Sequence, residues 1–185
     1  MTLNYDNIID ADGHILEPAD TWERYIDPAF RDRALRLRTH DGKEFLEING
    51  KRSKFFDVRI LTRLGAMGKS AAELAEMGDR PYPGDAPFGS MEPKERVALL
   101  DQEGIAKAIL YPSLGLTWEC ELDDAQLSLA YARAYNRWIC DFCSDADGRL
   151  IAAVHISLAD PAEAATELER AVLAGAKGAF LAPYT

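Results

Sequence analysis

Asp12 and His14 stand two residues apart in IIDADGHILEP, residues 8–18. On an extended strand that spacing sends both side chains to one side, with Asp10 below them on the same parity. A carboxylate oxygen and a neutral imidazole nitrogen are both good donors for zinc, manganese or iron. A catalytic zinc takes three protein ligands and an open position, so the pair supplies two legs of a site. Spacing alone leaves a plainer reading open, in which both groups cap the strand and satisfy loop amides. Glu17 either lines the mouth of such a site or bonds the same amides. Tyr111, ahead of Pro112, ends the apolar run IAKAILYPS and either touches a substrate or packs. His155 ends a second such run, where a core histidine, or one supporting a ligand from behind, is the simpler reading than a ligand. Asp10 reads as scaffolding and His40, beside Asp41-Gly42, as exposed. Cys140-x-x-Cys143 falls at the end of a helical pattern, away from the N-terminus that would activate a thiol, so both read as core residues.

The elements that must hold these residues follow from periodicity. DNIIDAD (6–12) reads as a strand that Pro18 stops, and Asp20 as the cap of a short helix. Alternation about Asp41-Gly42 and Asn49-Gly50 predicts a small β-hairpin excursion over 34–54. From 55 to 90 the chain is rich in Gly, Pro and Met and reads as an irregular connection with one helical patch over 71–77. EPKERVALLDQEG is a helix closed by Gly104, IAKAILYPS a strand, and Asp123 the expected cap of a long helix with Leu127, Tyr131, Tyr135, Trp138 and Phe142 at helical spacing. RLIAAVHISL is a strand, Asp160-Pro161-x-Glu163 starts a helix that runs to Gly175, and AKGAFLAPY is a last strand. Strands alternating with helices predict an α/β fold with a parallel sheet. Four strands are present, whereas a closed eight-stranded α/β barrel takes about 250 residues. Trp22, Trp118 and Trp138 are expected in the core or at an interface.

The chain has 185 residues, 48% of them hydrophobic, which is enough for one sizeable core. A net charge of −10 leaves no basic stripe for nucleic acid. No basic-then-apolar leader or apolar run of about 18 residues is present, so the expectation is a cytoplasmic protein that does not enter membranes. Three cysteines make an odd count and argue against a disulfide framework.

Three blocks occur together in one order: IIDADGHILEPADTWERYIDPAFRDRA, VALLDQEGIAKAILYPSLGL, and LAYARAYNRWICDFCSDADGRLIAAVHISLADPAEAATELERA. With them the chain resembles the metal-dependent amidohydrolase family related to aminocarboxymuconate-semialdehyde decarboxylase and γ-resorcylate decarboxylase. The resemblance runs from Ile8 to Thr185 and covers the N-terminal half of the family. It implies about four βα units of a distorted TIM (β/α)8 barrel, in a single partial domain over 1–185 with 34–90 as a hairpin and irregular insertion. It also implies one divalent metal at the C-terminal face, zinc first and manganese or iron as alternatives, with Asp12 and His14 as two ligands. Relatives often carry His-x-His or Glu-x-His there, so Asp-x-His leaves the preferred metal open. The remaining ligands and the catalytic residues would lie beyond Thr185. The implied activity is hydrolysis of a carbonyl-type bond in a small molecule by activated water. Non-oxidative decarboxylation of a small aromatic or unsaturated carboxylic acid is the rival. A non-catalytic half-barrel that binds a partner is the alternative from another class. A half barrel leaves strand edges open, so a second polypeptide supplying the C-terminal half, within a larger oligomer, is the expected partner.

Overall fold

The computed structural model describes residues 8–56, 58–64, 66, 69–78, 81, 82 and 86–182. Four parallel strands, β1 (Ile9–His14), β5 (Lys107–Tyr111), β6 (Leu150–His155) and β7 (Gly178–Phe180), lie side by side in the order β1-β5-β6-β7. Each strand neighbours the one before it in this series, with a helix between β5 and β6 and another between β6 and β7. That arrangement is a partial α/β barrel rather than a doubly wound sheet. β6 is buried along nearly its whole length, as a strand covered on both faces must be.

The helices are set by their ends. α4 (Pro93–Glu103) stops where Gly104 turns left-handed, at φ 69°. The 20-residue α5 (Ala125–Ser144) is capped by Asp124, whose Oδ1 accepts the amides of Gln126 and Leu127 at 3.1 Å. The cap is therefore Asp124 and not Asp123, because only the former stands where its carboxylate reaches the N2 and N3 amides. α6 (Pro161–Leu173) is capped by Asp160, which accepts from Ala162 and Glu163. In the short α1 (Thr21–Tyr25), Asp20 occupies the cap position without a side-chain bond. Leu110, Leu127, Tyr135, Ile139 and Val154 join the sheet to α5 with no exposed surface. Trp22, Trp118 and Trp138 lie in the same core.

Between α1 and α4 the chain leaves the sheet. β2 (Arg36–His40), β3 (Lys43–Ile48) and β4 (Lys51–Arg52) form an antiparallel meander, one short strand more than a hairpin. Asp41-Gly42 and Asn49-Gly50 each place two successive residues at positive φ, which fits the two-residue turns of twisted strands. The meander is tied to the long helix through Tyr131, whose hydroxyl accepts the Asn49 amide at 3.1 Å and donates to the Arg33 carbonyl at 2.5 Å. The Glu121 carboxylate holds the exit from β4, accepting from Ser53 Oγ at 2.6 Å and Lys54 N at 2.7 Å. Two helices follow, α2 (Val58–Leu64) and α3 (Ala71–Met77). α3 has a full capping box between Ser70 and Glu73, whereas α2 was not anticipated in so Gly-rich a stretch. β1 covers Ile9–His14 and so runs past the expected end at residue 12; residues 6, 7, 183 and 184, expected in the outer strands, lie outside the described residues.

Cys140 is buried and Cys143 half-buried on α5, while Cys120 is exposed. Burial raises both α5 thiols, that of Cys143 to about 12. Thiol titration of the native protein at pH 8 is therefore expected to show one fast-reacting group, Cys120, and two slow ones that become fast in denaturant. No helix among the described residues is long and apolar enough to cross a membrane.

Candidate functional site

β1 is not a regular strand. Asp10 pairs with Ala108 and Gly13 with Leu110, so three steps on β1 meet two on β5 and one residue bulges out. Gly13 makes this possible. A Cβ there would stand 2.9 Å from Asp10 Oδ2, closer than carbon atoms tolerate, and 3.0 Å from the rigid Ile109 carbonyl, a tight contact. The Asp10 Oδ1 accepts the Asp12 amide at 3.0 Å and closes the turn. The simple alternation read from Asp10, Asp12 and His14 is thus interrupted, yet the two candidate ligands still converge, with Asp12 Oδ1 3.7 Å from His14 Nε2. Gly13→Ala is expected to break the bulge and cost about 2 kcal/mol, read by thermal unfolding.

His14 Nδ1 lies 2.7 Å from the Pro112 carbonyl oxygen, just past β5. A carbonyl only accepts, so Nδ1 carries the proton, and in the neutral ring the Nε2 lone pair is on the side of Asp12. Metal-binding histidines are commonly held this way, by a carbonyl on the other ring nitrogen. Two donors about 2.1 Å from a zinc ion and at a tetrahedral angle would be about 3.4 Å apart. The observed separation is close to that, so the two donors fit a divalent ion. Among the described residues no cluster of three His, Cys, Asp or Glu side chains surrounds them.

His14 stands between two adjoining cavities. One, of about 250 Å³, lies toward α4 and is lined by Asp10, Asp12, Ser90 and Arg96 among others. The other, of about 370 Å³, is walled by Phe56, Ile60, Leu64 and Leu116, with Arg63 and Thr117 at its polar points. The excursion and α2 therefore supply much of the wall beside His14, an apolar surface suited to a small organic molecule.

The other singled-out residues do different work. Glu17 is fully buried and faces the loop after β5, where its two oxygens accept the amides of Ser113 at 3.2 Å, Leu114 at 2.9 Å and Gly115 at 2.9 Å. Burial raises its carboxyl above the ordinary range, and the Leu114, Gly115 and Ser113 amides pull partly against that. Gly115 must be small, since a Cβ would meet Pro112 at 2.9 Å and Glu17 Oε1 at 3.1 Å. Gly115→Ala is accordingly expected to lower stability by about 2 kcal/mol, which denaturant titration would register. The Tyr111 ring sits 6.0 Å from that of His14 and 6.2 Å from that of Phe180.

His155 has no exposed surface and is remote from the Asp12 carboxylate in bonding terms. Its Nε2 pairs with Glu119 Oε2 at 2.8 Å, and the other Glu119 oxygen accepts from Ser157 Oγ. Its ring lies between Phe180, at 4.5 Å, and Trp118, at 4.7 Å. Asn136 of α5 takes both its backbone groups, accepting the His155 amide at 2.7 Å and donating to its carbonyl at 2.9 Å. Asp12 and His14 are therefore brought together, while Glu17 and His155 belong to separate buried networks. Arg96, Glu119 and Asn136 were not singled out from sequence. Arg96 shares a helix face with buried Leu100, and Asn136 shares one with Leu129, Ala132 and Ile139; a polar residue on an apolar stripe was the signal that marked both. Glu119 lies in a 3₁₀ turn (Trp118–Glu121), where no periodicity exists to mark it.

A solved amidohydrolase from Mycobacterium avium subsp. paratuberculosis K-10 matches 97% of this chain with a TM-score of 0.75 at 26% identity. The match covers 50% of that protein, so the chain spans half its length. A 2,6-dihydroxybenzoate decarboxylase from Rhizobium matches 94% of the chain and 38% of its own, at 16% identity and a TM-score of 0.46. A second 2,6-dihydroxybenzoate decarboxylase, complexed with 2,6-dihydroxybenzoate, gives 17% identity and 0.47 over the same shares. No protein-family model and no curated protein matches the chain.

Proposed function

Because this chain is a half-length relative of the amidohydrolases, we propose that it forms the metal-binding half of a hydrolase of that superfamily, acting on a small organic molecule. The observation that carries the reading is the pairing of Asp12 Oδ1 with His14 Nε2 at 3.7 Å on the last residues of the first parallel strand, with His14 Nδ1 held by Pro112. Asp12 and His14 would hold one divalent ion, zinc before manganese or iron, as two of its ligands. When bound, the ion supplies Lewis acidity and activates water for attack on a carbonyl-type bond. His14 contributes a fixed tautomer, and Phe56, Ile60, Leu64 and Leu116 contribute an apolar wall that excludes bulk water and seats the substrate. The catalytic residues and remaining ligands come from outside the described residues, in strands that complete the barrel. Support for completion lies in the sheet, where among the described residues β1 and β7 each have a neighbour on one side only. A second polypeptide is proposed as the source of those strands.

The test is elemental analysis of the protein isolated in its native assembly, alongside native mass spectrometry. One divalent ion per Asp12–His14 pair, lost in Asp12→Ala and in His14→Ala while the fold persists, is expected. An assembly that holds no metal would replace this reading with that of a binding module. Release of carbon dioxide from aromatic acids, without hydrolysis of ester or amide substrates, would move the reaction to decarboxylation. A metal-bearing assembly made of a single polypeptide would remove the partner.

A further inference from the structure

The two candidate ligands are held through their backbone at two points. Asp10 accepts the Asp12 amide, on the near side of the bulge. Past the bulge in the chain, the His14 carbonyl accepts from Nη2 of Arg96 on α4. Arg96 is 9% exposed and its Nε has no partner, an unusual state for a guanidinium. Asp10 and Glu103 are its acidic neighbours. Among the described residues this buried cation makes a single side-chain bond, a costly state, and a plain packing role would be met by Leu or Met without that cost. What the guanidinium does that a hydrocarbon cannot is grip the carbonyl of a residue whose imidazole faces Asp12.

We propose that Arg96 is a positioning residue for the Asp12–His14 pair. Its buried guanidinium fixes the His14 carbonyl from α4 while Asp10 fixes the Asp12 amide, so that together they set the distance between the two ligand atoms. Arg96 touches neither the ion nor the substrate; it acts through His14. The inference rests on the metal reading above.

The test uses the protein in its native assembly, stripped of metal and reloaded with Co²⁺, whose visible absorption reports ligand geometry. Arg96→Gln is expected to weaken Co²⁺ binding about tenfold, the usual scale for losing a group that orients a ligand, and to change the Co²⁺ spectrum. Arg96→Lys, which restores a cation able to reach the carbonyl, is expected to recover part of both. Asp10→Ala, at a half-exposed position, is expected to weaken Co²⁺ in the same way and serves where Arg96→Gln does not fold. Wild-type affinity and spectrum in a folded Arg96→Gln, or in Asp10→Ala when Arg96→Gln does not fold, overturn the inference alone. A wild-type protein that binds no Co²⁺ overturns the metal reading and this inference together.

Discussion

Glu17→Ala is expected to lower the free energy of unfolding by about 5 kcal/mol. Three amides, those of Ser113, Leu114 and Gly115, all end on this carboxylate in a region without exposed surface. Removing it leaves them buried without acceptors, at about 1–3 kcal/mol each, and adds a cavity that Gly115 is too small to fill. Chemical denaturation followed by circular dichroism gives the number. The same residue predicts a pH dependence. Burial lifts the Glu17 carboxyl above the ordinary carboxylate range, so as pH rises past about 4.3 unfolded chains release this proton while folded chains keep it. Its contribution is thus greatest at low pH and falls as pH rises through the folded value. The penalty for Glu17→Ala should therefore be larger at pH 4 than at pH 7. A penalty that grows with pH would mean that the amides outweigh burial.

Asn136→Ala is expected to cost about 4 kcal/mol. One carboxamide serves three partners: the His155 amide, the His155 carbonyl and Glu167 Oε1, the last at 2.8 Å. Glu167 retains Arg170, at 2.7 Å, so the variant does not strand that charge. The His155 backbone does lose both bonds, at the buried end of a strand, and α5 loses one of its polar links to β6 and one to α6 at once. The loss appears in thermal unfolding. Because the carboxamide is far from the Asp12–His14 pair in bonding terms, metal affinity of the folded fraction should stay at its wild-type value.

The elements of the sheet were legible because their signals are local. Gly104, Asp160-Pro161-x-Glu163 and the Asp-Gly and Asn-Gly turns act within a few residues, and apolar runs such as KAILY and LIAAVH need no partner to be read. The Asp12–His14 pair was legible for the same reason. The bulge at Gly13 was not, since it exists only against the register of β5, nearly a hundred residues away in the chain. Helix α2 was hidden because Gly65 and Gly68, close behind it in the sequence, lower local helical signal, while Phe56 and Leu61 are buried by packing that sequence alone does not announce. Glu119 escaped because a polar residue in an aperiodic turn looks like a surface one until its partner is known, and Arg96 and Asn136 because a polar residue on an apolar stripe does not say what it binds. Their partners, a backbone carbonyl, a histidine and a strand end, all come from other segments.

The pairing of β1 with β5 also bears on the order in which the molecule assembles. His14 and its Pro112 acceptor are 98 residues apart, whereas β5, α5, β6 and α6 each pack against a neighbour close in the chain. Closing so long a loop adds little to the equilibrium cost, which grows only with the logarithm of length, but it delays contact formation. The later βα units can collapse first and offer β5 as a template on which the opening strand then docks. His14 receives the carbonyl that sets its tautomer only at that docking step. The Asp12–His14 geometry is thus expected to be among the last features the refolding chain acquires, arriving after most of its helix has formed.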